Sequence, residues 1–220
     1  MDQQSNQSVP PPPPTVQHKG INLVDRAKNI LITPIPEWAV IDKDPANNAT
    51  IFTTYILPLL LIGAFASFLG FGFIGIHGLK AGAGGGAVRG LIFVAFTAVL
   101  VFAMAAAIDV LAPSFGSEKN WSKSFKLAAY SLTAAYLGAI FWLFPALWIL
   151  VLLCSLYSLY ALYTGIPVLK KTTADKQIAY FAVILLITVV LAILLNLLMT
   201  EIAKAFQPDP MAQYRRLLGQ

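Results

Sequence analysis

The sequence predicts an all-α fold: a polytopic membrane helical bundle with five transmembrane helices and an N-terminal amphipathic helix. Three observations carry that prediction. Apolar residues make up 58% of the chain and charged residues only 11%, about half the usual charged share. A soluble domain of this length has too small an interior to hide so much apolar surface. The charges are also segregated, so that residues 45–79, 127–169 and 177–200 hold no Asp, Glu, Lys or Arg. Crossing the hydrocarbon core takes about 20 mostly apolar residues in a helix, and each of these stretches is long enough.

The elements follow in order. The polar start, MDQQSNQSV, lacks the apolar core of a cleavable signal peptide. Insertion through the first helix then leaves the N-terminus in the cytoplasm. Residues 1–19 read as a disordered proline-rich tail, in which Pro10 to Pro14 favour an extended polyproline II spacer. Residues 20–203 form the membrane domain and 204–220 a C-terminal tail. Between Gly20 and Leu31, the residues Leu23, Val24, Ala27, Ile30 and Leu31 share one helical face. Asp25, Arg26, Lys28 and Asn29 share the other. This segment is too short to span and is expected to lie in the membrane surface or to pack on the bundle. Pro34 and Pro36 end it, and Trp38 offers an interfacial anchor.

The predicted spans are about 51–76, 88–111, 127–144, 146–164 and 178–203. Pro58 lies inside the first and should kink it or force a repacking. Gly63 with Ser67, and Ala66 with Gly70, supply small residues four apart that let a neighbouring helix approach. The segment KAGAGGGAVRG at 80–90 reads as a flexible turn, and Ser114 to Lys126 as a hydrophilic loop. The 43 uncharged residues of 127–169 would make a single helix of about 65 Å, twice the membrane thickness. Two spans joined by a tight turn at Pro145 fit instead, with Trp142 and Trp148 bracketing the turn at the headgroup layer. Positive-charge counting gives ten basic residues on the side of the N-terminus and five on the other, which sets the N-terminus inside and the C-terminus outside.

Little in this chain reads as chemistry. Asp109 is a carboxylate inside the second span, by default a candidate for ion or proton handling. It lies two residues from that span's predicted end, where it reaches the headgroups or a lysine of the 119–126 loop. The run GAGGGA at 82–87 resembles a dinucleotide-binding pattern, but that pattern needs a βαβ unit around it. With two histidines, His18 and His77, and one cysteine, Cys154, no metal cluster or nucleophile–base set is expected. Catalytic, cofactor-binding and metal residues are therefore all read as none, with no cofactor. Tyr157, Tyr160 and Tyr163 read as an interfacial aromatic belt, and Asn196 as an interhelical hydrogen-bonding residue. The net charge of +5 is explained by topology, so nucleic acid is not an expected partner.

Three stretches resemble the bacterial branch of the YIP family, the Ypt/Rab-interacting membrane proteins. They are LVDRAKNILITPIPEWAVID at 23–42, TTYILPLLLI at 53–62, and YSLYALYTGIPVLKKTTADKQIAY at 157–180. The last holds a Tyr-rich helix end, a Gly-Ile-Pro turn, a basic loop and an Asp-Lys pair before the final span. The resemblance covers about 20–203 and implies a five-span Yip domain in the bacterial cytoplasmic (inner) membrane. Eukaryotic relatives are associated with Rab GTPases and vesicle traffic, but their Asp-Leu-Tyr-Gly-Pro element is replaced here by IDKDPANNAT at 41–50. Residues singled out as functional or structural positions are Trp38, Pro58, Asp109, Tyr157, Tyr160, Gly165, Pro167, Asp175 and Lys176. The expected role is a non-enzymatic scaffold, adaptor or membrane-organising protein. A small oligomeric transporter or channel using Asp109 is the alternative. The partners implied are the bilayer, anionic lipids, a membrane or cytoplasmic protein, and further copies of the chain.

Overall fold

The computed structural model describes residues 22–75 and 80–205. The proline tail, His18, Lys19, His77 and the tail beyond residue 205 lie outside them. Helices α1 (Leu23–Ile32) and α2 (Pro34–Lys43) are short. Five long helices follow: α3 (Asn48–Ile74), α4 (Gly82–Phe115), α5 (Trp121–Leu143), α6 (Pro145–Lys170) and α7 (Ala174–Ala205). All five are long and apolar enough to cross a membrane, and no strand occurs among the described residues. The predicted five-span helical bundle is the observed architecture.

The helices run further than the charge-free stretches that announced them. Polar side chains cap their ends: Asn47 accepts from Thr50 N at 2.8 Å before α3, and Asn120 from Lys123 N at 3.0 Å before α5. The expected hydrophilic loop 114–126 therefore shrinks. Ala112–Phe115 close α4 as a 3₁₀ turn, and Trp121 already begins α5. The expected flexible turn at 80–90 is corrected too, because Gly82 to Gly90 are the first turns of α4. Glycine is a poor helix former, yet here its missing side chain is what the packing uses. A Cβ on Gly86 would meet Phe68 O at 2.6 Å, and one on Gly90 would meet Ala64 O at 2.9 Å. Helices α3 and α4 thus touch backbone to backbone, the close approach that small residues permit in lipid.

Pro58 acts as expected but in a particular way. The turn just before it, Phe52–Ile56, is π-helical, and Leu57 N donates to Phe52 O. Proline lacks the N–H and crowds the carbonyl four residues back, and a widened turn relieves that crowding. In α5 the helix breaks at Leu132. The freed Ala135 N–H donates to Ser158 Oγ of α6 at 3.0 Å.

The fold-back at Pro145 is also observed, through a short turn centred on Phe144. Trp148 is exposed at its far side, while Trp142 packs on Phe71 at 5.7 Å. Helix α5 is the centre of the bundle and α7 its margin: 61% of the apolar window of α5 is buried against 11% for α7.

Helix α1 ends at Ile32 as the prolines demand, but Pro34 then opens α2, since proline suits the first helical position. This elbow packs on α5 and α6, realising the bundle-packing alternative for the amphipathic segment. One end of the bundle, the platform end, carries α1, α2 and the 116–120 and 171–173 connections. The far end carries residues 139–147.

Candidate functional site

The platform is built by polar side chains that sequence periodicity assigned to water. Arg26, placed on the outer face of α1 by pattern, is buried instead. Its guanidinium donates to Glu37 Oε1 at 2.6 Å and to Asp44 Oδ2 at 2.5 Å, while Asn29 donates to Glu37 Oε2 at 3.0 Å. A planar fork with several donors suits two carboxylates at once. The arrangement clamps α1 against α2 and the segment leading into α3. Lys126 of α5, also buried, donates to the carbonyls of Ile41 and Asp44, and Lys123 pairs with Asp42 at 2.8 Å.

Trp38 is not an interfacial anchor, because it is fully buried. A Cβ on Gly165 would lie 2.7 Å from its ring, and Trp38 Nε1 donates to Thr164 Oγ1 at 3.2 Å. Gly165 thus leaves the slot into which the indole inserts. Tyr157 departs from the aromatic-belt expectation in the same way. Its hydroxyl donates to Leu31 O at 2.6 Å and to Ile30 O at 3.2 Å, satisfying carbonyls that the end of α1 leaves orphaned. Tyr160 remains exposed, in edge contact with Tyr157 at 5.7 Å.

The Gly-Ile-Pro segment is not a turn, for α6 continues through it to Lys170. Pro167 cannot donate to the carbonyl four residues back, that of Tyr163. Gln177 Nε2 of α7 fills the vacancy at 2.9 Å, which is why the helix survives its proline.

Below the elbow lies a second buried cluster. Ser124 Oγ donates to Asp109 Oδ1 at 3.0 Å, Lys170 Nζ donates to Ser124 Oγ at 2.8 Å, and Lys170 stands 3.7 Å from Asp109. Asp109 therefore forms its ion pair with Lys170 at the end of α6, and its partner in the 119–126 segment is the hydroxyl of Ser124 and not a lysine. Tyr180 donates its hydroxyl to Ile108 O beside it. Spacing alone did not suggest that Ser124 and Lys170 meet, and both are fully buried. The geometry ties α4, α5, α6 and α7 together at the platform end.

Residues 28–196 match the Yip1 domain. The chain belongs to the Yip1 domain family. No curated protein and no solved structure matches the chain.

Within this Yip1 domain, two of the three stretches that carried the resemblance, 23–42 and 157–180, meet in the platform. The third contributes Tyr55, whose hydroxyl pairs with Thr133 Oγ1 at 2.7 Å and whose ring meets Tyr130 edge-on at 4.8 Å. The remaining positions lie outside its buried core. Pro58 lies up α3, and Asp175 and Lys176 are exposed in the first turn of α7. Asn196 does not bridge helices within the chain, since its side chain is exposed on the distal half of α7. The groups a transport path would use, Asp109 and Asn196, thus lie apart.

The platform's basic side chains are partly paired. Arg26, Lys123, Lys170 and Lys171 all stand in ion pairs. Glu118 and Lys171 meet at 2.6 Å on the surface. The hydrogen bond from Lys171 draws the Glu118 carboxyl below its ordinary range and raises Lys171 above its own. Among the described residues, the exposed lysines of this end outside these pairs are Lys28, Lys43, Lys119 and Lys176. Sequence reading missed Arg26, Glu37, Asp44, Ser124, Lys126, Lys170 and Gln177. The available signal was an acidic set, Glu37, Asp42 and Asp44, close behind a basic amphipathic helix.

Proposed function

We propose that this Yip1-domain protein is a non-enzymatic scaffold or adaptor whose recognition surface is the platform end, held in the cytoplasm. One observation carries the reading: the stretches that make the chain family-like converge on a single rigid assembly of Trp38, Tyr157, Gly165 and Arg26. Buried ion pairs fix relative position more than they add stability. An array of them under an exposed helical elbow suits a surface that must present a constant shape to a partner. The exposed side of that elbow offers Val24, Ile32 and Ile35 beside Lys28, an apolar and basic mixture suited to a protein partner or to anionic headgroups.

Crosslinking and co-purification from native membranes tests the reading. The wild-type chain should recover a defined partner that the Gly165→Leu variant loses while remaining membrane-inserted. Equal recovery by both would contradict it. Reporter fusions placing the platform outside the cytoplasm would contradict the orientation.

A further inference from the structure

We propose that two copies of this chain pair in the membrane along the outer side of α7, through Asn196. Helix α7 is the least buried span, at 11% of its apolar window. Among its described residues the buried side chains, Tyr180 and Ile184, lie in its first half. Beyond them Val189 and Ile193, which share the side of the helix that carries Asn196, are exposed. Asn196 stands in this exposed half, within the charge-free run 177–200. Its backbone carbonyl accepts from Thr200 Oγ1 at 2.8 Å, while its side-chain amide has no hydrogen-bond partner among the described residues.

An amide in hydrocarbon has no water to bond and lipid tails offer nothing in its place. What it requires is a donor and an acceptor at its own depth. A second Asn196 supplies both, because the primary amide carries two donors and an acceptor. A twofold axis along the membrane normal brings identical residues to the same depth, the isologous geometry of most homodimers. The surface next to the amide fits that occupant. A shallow groove of about 390 Å³ between α4 and α7 is lined by Phe96, Val189, Ala192, Ile193, Asn196 and Leu197. Ala192, one turn before Asn196, leaves room for a neighbouring helix, and the groove is of a size to receive an Ile193 or Leu197 from the other copy.

The full-length chain, reconstituted in phosphatidylcholine vesicles over a range of protein-to-lipid ratios, tests this by single-molecule photobleaching. Wild type should dimerise. Asn196→Leu should raise the dimer dissociation constant about 3- to 30-fold, the range for interhelical polar contacts of about 0.6–2 kcal/mol. Asn196→Gln, which keeps the amide, should stay within about threefold of wild type. An independent readout comes from Ile193→Cys in a Cys154→Ser background, which should form a disulfide between copies. That crosslink decides the matter if the leucine variant loses helicity. A monomer at every dilution, or a dimer indifferent to Asn196→Leu, would overturn the proposal.

Discussion

The two ends of this bundle hold together by different means. At the platform end, side chains reach between elements: a guanidinium forks onto two carboxylates and an indole fills a glycine slot. Toward the far end, backbones approach each other directly. Gly70 lies so close to the Trp142 carbonyl that a Cβ there would overlap it, and Gly86 faces Phe68 O. The difference follows from the solvent. Within lipid tails, apolar side chains gain nothing by leaving their surroundings, so helices associate by close van der Waals approach. Near the headgroups, water still makes amphipathic burial favourable and the dielectric tolerates paired charge. The platform is thus specified by chemistry and the far end by shape.

Four perturbations break or sharpen this contrast. The largest effect is expected from Arg26→Ala, which leaves Glu37 unpaired and buried and should cost about 3–5 kcal/mol. Thermal unfolding in detergent should show it. Next, Gly86→Leu should destabilise by about 1–3 kcal/mol through overpacking. Gly84→Ala, where nothing lies within 4 Å of the added Cβ, should be neutral or stabilise by about 0.5–1 kcal/mol. If both glycines behave alike, the backbone-contact account of the far half is wrong. Smaller still, Gln177→Ala should cost about 0.5–1.5 kcal/mol by orphaning Tyr163 O. In a Pro167→Ala background, which restores the N–H, that cost should vanish.

The smallest effect concerns Glu118 and Lys171. The folded-state carboxyl titrates below its ordinary 4.5, so the pair's contribution is present above that value and fades as pH falls through the lower one. At the alkaline side it fades as pH rises through the raised lysine value, above 10.5. Both groups are exposed, so high salt should flatten either dependence, and Glu118→Gln should abolish the acid arm in a stability titration.

Much of the fold was readable because lipid makes its rules simple. Charge-free length gave the spans, and the length of 127–169 required the fold-back at Pro145, which is where the chain turns. What stayed hidden depends on contacts between distant segments. Glycines 82–90 read as a loop because propensity is local, whereas the close approach of α3 that favours them is not. Arg26 read as solvent-facing because helical periodicity cannot register that Glu37 and Asp44 return to meet it. Pro167 read as a turn because its remedy, Gln177, sits in the next helix. Lys126 and Lys170 marked the limits of an apolar run, and nothing in that role hinted that each is buried in a polar cluster.

Docking of the elbow through the Trp38–Gly165 slot is the claim on which the platform rests, and hydrogen exchange of residues 23–43 in lipid nanodiscs measures it most directly. The backbone amides of α1 and α2 should be protected in the wild type and exchange at least about tenfold faster in Gly165→Leu, with α4 and α7 unchanged. Trp38→Ala added to that variant should restore part of the protection by emptying the slot. Fast exchange of 23–43 in the wild type, or protection indifferent to Gly165→Leu, would contradict the account.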